Sequence, residues 1–175
     1  MSRALTLYPD EDLERVCRPV EDPADWSSLI EDMRRILYEY DGVGLAAPQV
    51  GEDVQIFVLC LDVEKQIEEV YLNPEIIDIQ DEEPVTEGCL SFPNIDVEIR
   101  RGTKVQFKAL TPGGEQIERT VEGLQAQCVQ HELDHLQGKT ILDRCDFSEK
   151  MKINDQLNEL KNGNIPDPLP EKQPG

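Results

Sequence analysis

The placement of the histidines constrains this chain most: of its 175 residues only two are histidine, and both, His131 and His135, fall in the pentapeptide HELDH. The run from about Glu122 to Gly138 contains no proline and ends on a residue suited to stop a helix, so it predicts one continuous helix. A four-residue step on a helix carries both imidazoles to one face, within reach of a single ion, and leaves Glu132 beside them to handle protons. Leu124, Cys128 and Leu136 turn that side of the helix toward a core. Enclosing two imidazoles and a carboxylate is costly unless those groups bind something.

Periodicity shows what surrounds that helix. Trp26, Leu29, Ile30, Met33, Ile36, Leu37 and Tyr40 recur at steps of three and four, which predicts a helix from near Asp25 to the Asp41-Gly42 turn. Val54 to Leu61 is a near-continuous apolar run of strand length, the pattern of a buried strand. Shorter strands are expected at Val70–Asn73, Glu75–Ile79, Ile95–Arg101, Lys104–Leu110 and Gln116–Val121, with TPGGE as a hairpin turn between the last two. A last helix is predicted from Ser148, as N-cap, to about Lys161. The order helix, strands, helix, helix, with no repeat or interior linker, predicts an α+β fold in a single domain over residues 1–163. Residues 164–175, NIPDPLPEKQPG, are proline-rich and polar and are expected to form a loose tail.

Charge narrows the function classes. With 37 acidic against 17 basic residues the formal charge is −20, which repels polyphosphates and anionic lipid at long range, so direct nucleic-acid binding is not expected. The acid is spread along the whole chain and reads as a solubility adaptation, with high salt as one setting for it. No apolar run approaches the ~20 residues that span a bilayer, and no membrane partner is expected. The opening MSRALTLYPDEDLERV has the shape of neither a secretory signal nor a transit peptide, which points to the cytoplasm. Five widely spaced cysteines without a CxxC pair make a disulfide scaffold an unsuitable reading; Cys60 and Cys128 read as core.

A catalytic ion needs a third protein ligand and one open position. With no third histidine, that ligand is a carboxylate or a thiolate. Cys89 sits in TEGCLSFP, where Gly88, Ser91 and Pro93 indicate a shaped loop rather than ordinary core. A Cys/His/His set suits Fe(II), Zn(II), Co(II) or Ni(II), and softness alone does not choose among them. The segment GVGLAAPQVG, residues 42 to 51, lacks the Lys-Ser/Thr ending of a phosphate-binding loop; its small residues suit a loop lying against an extended substrate, with Gln49 as its one strong hydrogen-bonding side chain. Two other readings of such a metal helix stand open, a peptidase and a structural metal site. A zincin-type metallopeptidase also uses HExxH, with a downstream His or Glu as third ligand. A structural metal site normally closes with four protein ligands.

In their order and spacing GVGLAAPQ, EGCLS and HELDH resemble the three motifs of the peptide deformylase family, and a looser likeness runs from about Leu5 to Asp143. The resemblance implies mixed β-sheets packed around a central metal-binding helix, with a C-terminal helix. It implies a metal-dependent hydrolase that removes the formyl group from the N-terminal methionine of newly synthesised polypeptides, releasing formate. Cys89, His131 and His135 would hold one divalent ion, natively Fe(II), with Zn(II), Ni(II) or Co(II) able to substitute. Glu132 would act as general base and then general acid, while the Gln49 amide and the Leu90 backbone N–H would donate to the oxyanion. Val43, Val85, Leu124 and Cys128 would stand near the methionine slot, and Gly44 and Glu87 would meet the substrate backbone or support the site. The partners implied are N-formyl-methionyl nascent peptides. Two features depart from the family pattern. Asp96 stands where many relatives carry a basic or aromatic residue. From Ser148 onward four lysines face five acids, so ribosome docking through a basic C-terminal helix finds no support.

Overall fold

A computed structural model describes residues 2–166; residues 167–175, most of the proline-rich tail, lie outside the described residues. The first helix forms where the apolar spacing places it. After a single 3-10 turn at Pro23–Trp26, α1 spans Ser27–Glu39 and buries Leu29, Ile30, Met33, Ile36 and Leu37. Those side chains pack on Val54, Ile56, Val58, Val70 and Leu72, forming an apolar core on one side of the sheet.

Five strands run in the order β1 (Gly44–Ala46), β2 (Ile56–Asp62), β3 (Ile67–Cys89), β4 (Phe92–Leu110) and β5 (Gln116–Glu122), each paired with the next. All of these pairings are antiparallel; among the described residues a parallel contact is seen in the isolated bridge between Arg18 and Val54. The class is α+β, as expected. Strand lengths differ from expectation. Val70–Asn73 and Glu75–Ile79 belong to one 23-residue strand, β3, and Ile95–Arg101 and Lys104–Leu110 to one 19-residue strand, β4. The polar run Gln80-Asp81-Glu82-Glu83 carries no apolar alternation, but its backbone pairs with Gly102 and Arg101, and that ladder keeps the strand going. The register shifts near Asn73 and Pro74 mark where the two apolar pieces join.

The glycine-containing segment expected as a loop instead contributes strand β1, with Gly44 opposite Leu59 and Ala46 opposite Phe57, followed by a 3-10 turn at Ala47–Val50. The last helix also divides. Its span is shared by α4 (Phe147–Lys152) and α5 (Asn154–Lys161), preceded by a short α3 (Ile141–Arg144) that was not expected, and the N-cap of α4 is Asp146, which accepts from the Glu149 N–H. Ser148 falls inside the first turn, its hydroxyl bonded to Asp146. Asp146 wins because a carboxylate at that position meets the helix N-terminus with a full negative charge.

α2 (Gly123–Leu136) is the central element. Ala126 and every residue from Cys128 to Leu136 are buried, so the helix is enclosed almost all round. Gln130 locks it to the sheet by accepting from the Gly102 N–H and donating to the Gly102 carbonyl, both at 2.9 Å. Gly102 suits that contact because a Cβ there would lie 2.2 Å from the Ile79 side chain. One expectation for α2 fails: Cys128 and Leu136 face core, but Leu124, in the first turn, is half exposed. No helix among the described residues is long and apolar enough to cross a membrane.

Candidate metal centre and active site

Three chain segments meet beside α2. Cys89 ends β3, immediately before the two-residue turn Leu90-Ser91 that leads into its cross-strand partner Phe92. His131 and His135 come from consecutive turns of α2. The Cys89 sulfur lies 3.4 Å from His135 Nε2, and the two Nε2 atoms are 3.1 Å apart; all three side chains are buried. Bond lengths of about 2.0–2.3 Å in a tetrahedral site put donor atoms about 3.3–3.6 Å apart; the two separations fall near that range, and the three donor atoms all lie within 4.8 Å of one another. The chemistry of the set agrees: one cysteine sulfur and two imidazole nitrogens suit a divalent first-row metal ion.

The histidine orientation is fixed from behind. His131 Nδ1 bonds to Glu87 Oε2 at 2.8 Å, which turns its Nε2 inward. Glu87 is gripped in turn by the Arg101 fork, through Nε at 3.1 Å and Nη2 at 2.8 Å. The other arm of Arg101 reaches Asp134, inside the HELDH motif, at 2.7 Å, and Asp134 also takes Arg144 at 2.6 and 3.0 Å. Two buried carboxylates thus meet the buried Arg101 guanidinium and, from the surface, that of the exposed Arg144, so neither carboxylate is left unpaired. Burial opposes ionisation of Glu87, yet the hydrogen bond and charge of His131, together with Arg101, hold its carboxyl down at about 2.

Glu132 is the contrasting carboxylate. It is fully buried, and neither of its oxygens has a hydrogen-bond partner among the described residues. Burial pushes this carboxyl up to about 8 against the pull of His131, and a cation held by the neighbouring donors would draw it back down. A carboxylate enclosed with its lone pairs uncommitted is matched to a proton or water that arrives during reaction. It lies against β1: a Cβ on Gly44 would stand 2.6 Å from Glu132 Oε1.

Gln49 enters from the 3-10 turn after β1 and is fully buried. Its Oε1 accepts from the Ala46 N–H at 2.9 Å, which leaves the NH2 end to face Ser91 Oγ at 3.2 Å and the Cys89 sulfur at 3.5 Å. Cys89, His131, His135, Glu132, Gln49, Glu87 and Gly44 are therefore drawn together, with Leu90 in the adjoining turn. The apolar residues are less united. Val43 packs against the cluster that holds Cys128, Val85 against the neighbouring cluster that holds Cys89, and Leu124 is half exposed. Sequence reasoning missed Arg101, Asp134 and Arg144 as supports. Arg101 carried a signal: it continues the every-second-residue series Ile95, Val97, Ile99, all buried, so an arginine stands where the strand faces inward.

Comparison with known proteins places the chain in a family. The polypeptide deformylase family profile matches residues 2–151. The chain is 36% identical over 155 residues to the peptide deformylase of Psychrobacter cryohalolentis, covering 87% of this chain and 84% of that protein. It is 37% identical over 159 residues to that of Chromobacterium violaceum, covering 90% and 95%. Among solved structures, the peptide deformylase of Legionella pneumophila superimposes with a TM-score of 0.86 at 37% identity, covering 93% of this chain and 96% of that one. That of Thermotoga maritima gives 0.77 at 40% identity, covering 83% and 99%. The chain belongs to the polypeptide deformylase family, and it is an enzyme of that kind.

Proposed function

We propose that this enzyme removes the formyl group from the N-terminal methionine of newly synthesised polypeptides by metal-dependent hydrolysis in the cytoplasm. One observation carries the reading: a Cys/His/His donor set built from distant segments stands beside a buried carboxylate without a partner, in a chain of the deformylase family. Cys89, His131 and His135 would hold a divalent ion, Fe(II) in the native protein with Zn(II), Ni(II) or Co(II) as substitutes, which would supply Lewis acidity to the site.

The rest is done by the chain. Glu132 takes the proton of the attacking water and later delivers it to the amine nitrogen as the C–N bond breaks, so formate and a free N-terminus leave. The Gln49 NH2 and the Leu90 backbone N–H donate to the formyl oxygen as negative charge builds on it. Gly44, on an edge strand, lies beside the substrate backbone, and Val43, Val85, Leu124 and Cys128 line the approach of the methionine side chain. Substrates are N-formyl-methionyl nascent peptides. Ribosome contact through a basic C-terminal helix is not part of the proposal, because that region is not basic.

The test is the bond that is cut. Protein loaded with Fe(II) without air should release formate from formyl-Met-Ala-Ser and leave the peptide bonds of unformylated Met-Ala-Ser intact. Cleavage of internal bonds without formate release would overturn the reading in favour of a metallopeptidase.

A further inference from the structure

Ser91, two residues beyond Cys89, is a fully buried polar residue. Its hydroxyl lies 3.2 Å from Gln49 Nε2, at the end of the amide that faces the Cys89 sulfur. A primary amide has one oxygen and two N–H bonds, and how they are shared decides where the free donor points. Here the Ala46 N–H claims the oxygen, Ser91 Oγ takes one N–H, and the second is held toward the Cys89 sulfur, 3.5 Å away on the metal-ligand side. The two residues are also joined through the backbone. The N-terminal strap crosses both segments: the Thr6 N–H donates to the Gln49 carbonyl at 2.7 Å, and the Tyr8 N–H donates to the Ser91 carbonyl at 2.8 Å. Tyr8 stacks on Phe92 at 4.9 Å, and Arg3 fastens the start of the strap to Asp32 and Glu52. One extended segment thus fixes the separation of the two residues whose side chains meet.

We infer that Ser91 is a positioning residue for the reaction: its hydroxyl, held in register by the Thr6–Tyr8 strap, fixes the rotation of the Gln49 amide so that its remaining N–H meets the developing oxyanion. This rests on the deformylase reading of Gln49. A donor aimed in advance stabilises the transition state more than the bound substrate, so its loss lowers kcat and leaves KM nearly unchanged.

The experiment is a double-mutant cycle on the metal-loaded enzyme with formyl-Met-Ala-Ser, using Ser91→Ala, Gln49→Leu and the pair, with metal content and Tm recorded for each. The expected result is a fall in kcat of about tenfold for Ser91→Ala at KM within about twofold, the size of one lost neutral hydrogen bond. In the Gln49→Leu background the same change should alter kcat by less than about twofold, because the group it orients is gone. If alanine lowers Tm sharply, the cycle is run with Ser91→Cys, which keeps the side chain's shape and weakens the acceptor. A kcat for the single variant within twofold of wild type, a change confined to KM, or an equal loss in both backgrounds would overturn the inference. Absence of formate release by the wild type would overturn the deformylase reading itself and is read from the same plate.

Discussion

Glu87 and Glu132 show how two carboxylates a few residues of space apart acquire opposite roles. Glu87 receives His131 and Arg101 and is held ionised; Glu132 receives no partner and is left available. The same scale gives a sharp prediction at Gly44, where a Cβ would stand 2.6 Å from Glu132 Oε1 and 3.1 Å from the next two carbons of that side chain. Gly44→Ala must displace the carboxylate, so kcat should drop at least about tenfold while Tm changes little. Steady-state kinetics beside a melting curve check this, and an unchanged kcat would show that the carboxylate has room to move. Individual site residues were legible in proportion to their chemical distinctiveness. Two histidines in one HExxH segment and a cysteine in a shaped loop announce themselves; Arg101 is marked only by its place in an inward-facing series, and Ser91 and Arg144 are ordinary residue types whose partners only the fold shows.

At the scale of elements, α1, α2, β2 and the TPGGE turn were readable because each carries its own period or turn chemistry. β1 was not, because three residues cannot display a period, and the far half of β3 was not, because its polar run is ordered by the ladder to β4. Ion pairs between strands that are not neighbours in the sheet also set the pH response. Glu69 on β3 accepts both arms of Arg119 on β5, at 3.0 and 3.2 Å, and the Tyr71 hydroxyl. Arg119 first, and Tyr71 after it, hold the Glu69 carboxyl below its ordinary value against partial burial. A carboxyl whose folded value is depressed stabilises the fold above the unfolded carboxylate range, near 4.3, and that contribution is lost as pH falls through the folded value. Both side chains are about a third exposed, so Glu69→Gln should cost only about 0.5 kcal/mol at neutral pH. Paired melts at pH 7 and pH 3 check it: the gap between wild type and variant should close in acid, and a gap that widens would contradict the assignment.

The whole molecule carries a formal charge of −20, and its arginines are already engaged: Arg3 meets two acids, and Arg101 and Arg144 share Asp134. Most of the surplus acid therefore faces solvent and other acid, as in the exposed run at Asp81 to Glu83. Screening weakens favourable pairs and unfavourable ones alike, but the surplus makes repulsion the larger sum. Tm should rise by a few degrees between low salt and about 1 M NaCl, and a flat or falling curve would remove repulsion as a significant cost. Among the described residues the interior shows the reverse arrangement: the buried charges of Glu87, Arg101 and Asp134 are paired, whereas the Glu132 carboxylate proposed to work is not. That claim is tested most directly by formate release from formyl-Met-Ala-Ser with the wild type and Glu132→Gln, both metal-loaded to equal content, and with acetyl-Met-Ala-Ser as control. The account predicts release confined to the wild type and the formyl peptide, with the variant slower by at least about a hundredfold. A Glu132→Gln enzyme that keeps wild-type turnover would contradict it.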